Sequence, residues 1–167
     1  MSAKYRTENP ATGQLVKEVP FASDAEINGA LERAANAASE WRATPVEERA
    51  AIVQRVSELF TAKRDELARI IATEMGKPLG ESYGEVDFSA DIFRYFAEEG
   101  PGQLVDQVLS ETDTARSVVQ RRPLGTILGV MPWNYPYYQV ARFAAPNLVA
   151  GNTVPVSYTH LRAHETL

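Results

Sequence analysis

The chain has 167 residues, enough for one domain with a buried core or for a piece of a larger fold. Apolar residues make up 44% and charged residues 23% of it, a composition that argues against disorder. The formal net charge is -5 at pH 7, and lysine and arginine form no stripe along the chain. We therefore expect no nucleic-acid partner.

Cysteine is absent from the 167 residues, so they can form neither a disulfide nor a thiol nucleophile. No apolar run approaches the roughly 18 residues that a transmembrane helix needs. Residues 1–5 also lack the apolar stretch of a signal peptide. These features predict no membrane partner and, by default, a cytoplasmic location.

Residues 5–22 have the pattern of two strands joined by a turn. The sequence Asn-Pro-Ala-Thr-Gly at residues 9–13 places proline and glycine where a turn requires them. Ser23 and Glu26 then have the spacing of a capping box, in which each side chain bonds the backbone of the other residue. This box predicts an alanine-rich helix that ends near Trp41.

Two further helices are predicted downstream. Thr44 and Glu47 have the spacing of a second capping box, which predicts a helix that stops at Gly-Lys-Pro, residues 76–78. Apolar residues at helical spacing then predict a third helix over residues 79–99. The sequence Gly-Pro-Gly at residues 100–102 is expected to end it.

The last third of the chain has a different pattern. Residues 124–131 are almost continuously apolar, which is typical of a buried parallel strand. A proline-bounded loop at residues 132–136 follows, then a helix over residues 137–149 that Pro146 must bend or break. Residues 151–154 begin a second buried strand. Strand, loop, helix and strand in this order form a βαβ unit, so the predicted fold class is α/β.

Several motifs occur in a fixed order and spacing. They are residues 9–13, Glu-Met-Gly-Lys-Pro at 74–78, Pro-Leu-Gly at 123–125, Gly-Val-Met-Pro-Trp-Asn-Tyr-Pro at 129–136, Pro146, and Ala-Gly-Asn-Thr-Val at 150–154. With these motifs the chain resembles the aldehyde dehydrogenases over roughly residues 5–154. The subgroup it resembles most is the succinate-semialdehyde dehydrogenases, because Gln139 and Arg142 follow the Trp-Asn-aromatic-Pro loop.

The resemblance implies an aldehyde dehydrogenase-like fold, with helices followed by the start of a parallel Rossmann-type sheet. Residues 1–154 would be the N-terminal part of the NAD(P)-binding domain. Residues 103–122 would contribute to the sheet through which the full-length protein forms a homo-oligomer. The alternative for the strand at residues 117–122 is an ordinary edge strand protected by its charges.

In the enzymes that this chain resembles, a cysteine thiolate attacks the aldehyde and produces an oxyanion. That charge needs preorganised hydrogen-bond donors. The resemblance implies that Asn134 is such a donor. The alternative is that Asn134 only caps the helix that follows, a position where asparagine is favourable.

The resemblance also implies a wall for the nicotinamide side of NAD or NADP. Its four residues would be Val130, Met131, Pro132 and Trp133. The alternative is plain core packing, which Val130 fits equally well. No Gly-x-Gly-x-x-Gly loop is present, but the cofactor loop of the family has a different form and lies further along the chain.

Arg142 and Gln139 lie three residues apart and share one face of the predicted helix. A planar guanidinium recognises a carboxylate well, so Arg142, helped by Gln139, is a candidate for holding the distal carboxylate of a semialdehyde. The alternative is a surface salt bridge. Many family members have lysine one residue after Arg142, where this chain has Phe143, so no proton-relay role is carried over.

The tail departs from the family pattern. Pro155 would interrupt a central strand, and residues 156–166 resemble the translation of a transposon-type sequencing adapter. We therefore expect residues 155–167 to be non-native. His160 and His164 could share one helix face, but no third ligand is evident nearby, so we expect no metal site.

The resemblance implies oxidation of an aldehyde to an acid, in which hydride passes to NAD or NADP and leaves a thioester on cysteine. Succinate semialdehyde is the expected substrate. Since these 167 residues contain no cysteine, we expect no dehydrogenase activity from them alone. Two alternatives stay open: a dehydrogenase for an uncharged or amino aldehyde, and a non-catalytic assembly module.

Overall fold

The computed structural model describes residues 4–159 and opens with a hairpin. Strands β1 (Lys4–Glu8) and β2 (Leu15–Pro20) pair antiparallel. In the turn between them the Asn9 carbonyl accepts the backbone N–H of Gly13, with an N···O distance of 2.7 Å. The predicted strand, turn and strand are confirmed.

Helix α1 (Asp24–Ala43) begins at the predicted capping box. Ser23 Oγ accepts the backbone N–H of Glu26 at 3.3 Å, and Glu26 Oε2 accepts that of Ser23 at 2.8 Å. The backbone hydrogen bond from Ser23 holds the pKa of Glu26 below its usual value. The box is therefore confirmed in both directions.

The prediction of a second capping box is wrong, and the single helix predicted after it is in fact two helices. The Thr44 hydroxyl donates to the Glu40 carbonyl at 3.0 Å, so Thr44 closes α1 and caps nothing downstream. Helices α2 (Val46–Ala62) and α3 (Arg64–Met75) meet at Lys63, whose φ of -101° and ψ of 17° depart from helical values.

Helix α4 (Leu79–Gln103) continues through residues 100–102, so the predicted stop there is wrong. Gly100 serves helix packing instead. A Cβ added to it would lie 2.7 Å from Val149 Cγ1, closer than real side chains approach. Pro101 lies in the last turn of the helix, where it removes the hydrogen bond to the carbonyl four residues earlier, and α4 ends two residues later.

The remaining elements are a second hairpin and a βαβ unit. Strands β3 (Gln107–Glu111) and β4 (Arg116–Val119) pair antiparallel. Strand β5 (Gly129–Pro132), helix α5 (Pro136–Ala150) and strand β6 (Val156–Thr159) follow, with β5 and β6 parallel. The α/β class and the start of a parallel sheet are thus confirmed, and Pro146 does not break α5.

The two buried strands differ from their predicted extents. Only the end of the apolar run forms β5, and Leu124 at its start is 88% exposed. Residues 151–154 contribute one isolated parallel bridge, between Thr126 and Thr153, and the regular strand starts after Pro155. Residues 160–167, which include both histidines, lie outside the described residues, and the non-native origin of the tail stays a prediction.

The core lies where α5 packs against α2 and α4. Its buried members come from these three helices: Val53, Phe93, Ala141, Ala144, Ala145 and Val149. Alanines on one face of α5 let the helix axes approach closely, and α5 in turn fixes where β5 and the loop after it lie. Within residues 4–159 no helix has both the length and the apolar character needed to cross a bilayer.

Candidate active site

The loop at residues 133–135 joins the end of β5 to the start of α5. In α/β folds, ligands bind beyond the carboxyl ends of parallel strands, and this loop lies at that end of β5. Trp133 is half-buried, whereas Asn134 and Tyr135 are exposed. Asn134 thus lies at an edge that is open to solvent.

Asn134 has a free side-chain amide in this loop. Its side chain forms no hydrogen bond with any of the residues 4–159. The N-cap of α5 is Tyr135, with φ of -143° and ψ of 70°, so Asn134 does not cap the helix. Its two N–H donors are therefore available to a ligand, and the oxyanion role stays a prediction.

A buried carboxylate takes the place of the missing cap. Glu85 extends from α4, and its Oε1 accepts the backbone N–H of Tyr137 at 3.0 Å and that of Tyr138 at 3.4 Å. The side chain of Glu85 is 1% exposed. Because the first N–H groups of a helix lack partners and carry partial positive charge, a carboxylate there stabilises α5.

Lys77 neutralises this carboxylate and touches the loop as well. Its Nζ is paired with Glu85 Oε2, and its side chain is 6% exposed. The same ammonium lies 3.6 Å from the ring centroid of Tyr135. The pair therefore contacts the backbone after Asn134 through one member and the ring beside Asn134 through the other.

Arg142 and Gln139 lie together on α5, as their spacing predicts. Arg142 Nε donates to Gln139 Oε1 at 2.9 Å, and the guanidinium carbon lies 5.6 Å from the ring centroid of Tyr138. Arg142 is exposed, and among the described residues it forms no salt bridge. The surface salt bridge that was its alternative role is not present in this part of the chain.

The four proposed wall residues divide between two faces of β5. Val130 is 55% exposed, so it belongs to no core formed by the described residues. Met131 is 6% exposed and faces α5, because a Cβ on Gly129 would lie 2.6 Å from Met131 Cε and 2.5 Å from Phe143 Cε1. Successive strand residues point to opposite faces, so Met131 lies behind the accessible surface.

Pro132 and Trp133 are both half-buried. Pro132 lies two residues after Val130 and so on the same face of β5, whereas Trp133 follows the end of the strand. The cofactor contacts of all four residues, Met131 included, stay predictions.

The other end of α5 is also held by side chains. Trp41 Nε1 donates to the Leu148 carbonyl at 3.0 Å, and Arg49 Nε donates to the Val149 carbonyl at 3.0 Å. Arg49 is buried, and burial lowers the pKa of its guanidinium. A cation at the C-terminus and a carboxylate at the N-terminus both match the helix dipole, so α5 is fixed at its two ends.

Comparison with known proteins assigns the family. The family model described as "Aldehyde dehydrogenase family" matches residues 1–160. The chain belongs to the aldehyde dehydrogenase family. A similar relative, the succinate-semialdehyde dehydrogenase [NADP(+)] of Deinococcus radiodurans, is 48% identical over 157 residues, which are 94% of this chain and 33% of that protein.

Two further aldehyde dehydrogenases extend this result. The glutarate-semialdehyde dehydrogenase of Pseudomonas putida is 38% identical over 92% of this chain and 33% of its own length. The solved structure of succinic semialdehyde dehydrogenase from Streptococcus pyogenes with NADP+ superposes with a TM-score of 0.87 at 35% identity, over 93% of this chain and 34% of that one. The chain spans about a third of the length of the curated relatives it matches.

Sequence reasoning about this member of the family missed Lys77 and Glu85. Lys77 was assigned to a helix-ending sequence and to a family motif without a role of its own, and Glu85 was assigned no role. One signal was present: Ser82, Glu85 and Ser89 form a polar row at helical spacing within α4, and all three are buried. A carboxylate in such a row requires a buried partner. No group of His, Cys, Asp or Glu that could hold a metal is found among residues 4–159.

Because the Lys77–Glu85 pair is buried, we predict that two lysine substitutions differ greatly in their effect on stability. Lys77→Met leaves the Glu85 carboxylate buried without its partner, so we expect the free energy of unfolding to fall by about 3–5 kcal/mol. Lys63 forms an exposed pair with Glu66 at 3.5 Å, and Lys63→Met should cost about 0.5 kcal/mol or less. Urea unfolding of the purified chain measures both; equal small losses would contradict the assignment of a buried ion pair.

Proposed function

We propose that this chain supplies the oxyanion-stabilising part of an NAD- or NADP-dependent aldehyde dehydrogenase. The proposed reaction converts the aldehyde group of succinate semialdehyde and water to a carboxylic acid, while a hydride passes to the dinucleotide and one proton is released. The observation that carries the proposal is that the side-chain amide of Asn134, at the carboxyl end of a parallel strand, forms no hydrogen bond with residues 4–159. Membership of the aldehyde dehydrogenase family supports it.

The chemistry proposed for Asn134 follows from charge. When a nucleophile attacks the aldehyde carbon, the carbonyl oxygen becomes negative, and a side-chain N–H held in place stabilises that charge. These 167 residues contain no cysteine, so the proposed thiol nucleophile belongs to another part of the complete protein. The dinucleotide supplies the hydride acceptor, and Val130, Pro132 and Trp133 provide the apolar surface that suits its ring.

Arg142 supports a substrate that ends in a carboxylate. Its guanidinium is exposed, is oriented by Gln139, and forms no salt bridge within residues 4–159. The two semialdehyde dehydrogenases compared above are named for substrates that carry such a group. A carboxylated semialdehyde is therefore favoured as the substrate. An uncharged or amino aldehyde would give no role to an arginine that lacks a charged partner within residues 4–159.

We also propose that the hairpin within residues 103–122 takes part in homo-oligomer formation by the full-length protein. Both of its strands are exposed along almost their whole length, and Leu109 is 62% exposed. Exposed apolar strand residues favour burial against a second copy. The same surface would also serve an assembly module without activity. Such a module would need neither Asn134 nor Arg142, which distinguishes it from the enzyme of the main proposal.

Asn134→Ala tests the proposed oxyanion role. The substitution is made in a full-length hybrid, in which residues 1–154 replace the matching third of the Deinococcus radiodurans relative. We expect kcat to fall about 100- to 1000-fold, because one donor to the developing charge is lost. Asn36→Ala, at an exposed position on α1, is the control and should leave kcat unchanged. Unchanged turnover in Asn134→Ala would refute the role, and the cysteine-free 167-residue chain provides the assay blank.

Arg142→Leu in the same hybrid tests the substrate class. We expect KM for succinate semialdehyde to rise about 10- to 100-fold, since a charge-assisted contact is lost, while KM for butanal changes little. Arg69→Leu, which removes an exposed arginine from α3, is the matched control. If KM rose equally for both aldehydes, the carboxylate contact would be excluded and an uncharged substrate favoured.

A further inference from the structure

We propose that Lys77 and Glu85 are positioning residues for Asn134, holding its amide where the aldehyde oxygen becomes negative. The inference rests on the proposed function and adds to it two buried residues from outside the loop. Neither side chain is open to solvent, because they are only 6% and 1% exposed. They act on Asn134 through the residues that follow it in the chain, which are Tyr135, Tyr137 and Tyr138.

The loop is fixed at points on both sides of Asn134. Before it, the segment that leads into β5 is held by the parallel bridge between Thr126 and Thr153. After it, Lys77 contacts the ring of Tyr135, and Glu85 accepts the backbone N–H groups of Tyr137 and Tyr138. Asn134 is thus restrained through its neighbours. Its own amide forms no hydrogen bond within residues 4–159, so both amide hydrogens are available to a ligand. A displacement of about 1 Å can cost roughly 100-fold in rate, so such restraint has a kinetic effect.

The carboxylate that caps α5 belongs to Glu85 of α4, a second helix, and not to the loop that precedes α5. A Ser or Asp at position 135 would cap α5 in the usual way, but its acceptor oxygen would lie beside Asn134 and compete for the amide. Glu85 reaches the same N–H groups from α4. Its negative charge would oppose an oxyanion nearby, and Lys77 neutralises that charge. The pair therefore caps the helix without adding net charge to the site.

A double-mutant cycle in the full-length hybrid tests the proposal. Glu85→Gln removes the charge and the ion pair, and we expect kcat to fall about tenfold with little change in KM for the aldehyde. In the Asn134→Ala background the same substitution should lower kcat less than about twofold, because the group it positions is gone. Glu81→Gln, an exposed glutamate one turn earlier on α4, is the control and should have no effect.

Tyr135→Leu provides a second variant in case Glu85→Gln does not fold. It removes a ring that is 46% exposed and so the Lys77 contact, without opening the core. We expect kcat to fall about threefold or more, again only when Asn134 is present. Equal losses with and without Asn134, for either variant, would overturn the positioning role. Full activity in Asn134→Ala alone would overturn the proposed function itself, which is a different result.

Discussion

The N–H groups that open an α-helix have no partners within it, and in α5 the buried carboxylate of Glu85 accepts two of them. This carboxylate is stable in the interior because Lys77 pairs with it. At the opposite end of α5, Trp41 and Arg49 donate to the last carbonyls. The helix is therefore held between side chains of α1, α2 and α4, and the loop that precedes it is held with it.

The parts of the fold that could be predicted are those set by local sequence. Ser23 and Glu26 form their capping box within a single turn, so spacing alone identifies it. The βαβ unit follows from an apolar strand, a proline-bounded loop and an alanine-rich helix, and the position of the loop at residues 133–135 follows from the prolines on either side. Arg142 and Gln139 lie three residues apart on one helix, so their contact also follows from spacing.

The parts that could not be predicted depend on tertiary contacts. Gly100 indicates a helix end by its type, but here it permits the close approach of Val149. Thr44 has the type and spacing of a helix start, yet its hydroxyl bonds back to the preceding helix. The pair of Lys77 and Glu85 spans eight residues and an interhelical turn, and its target lies about 50 residues further along the chain. No local pattern connects such positions.

Amide hydrogen exchange at the start of α5 tests the central claim most directly. We expect the N–H groups of Tyr137 and Tyr138 to exchange much more slowly than those of Val46 and Glu47, which open α2 without a side-chain cap. Replacement of Glu85 by glutamine should narrow that difference. Exchange at Tyr137 and Tyr138 as fast as in the first turn of α2 would show that no buried carboxylate holds this helix, and the account of the loop would fail with it.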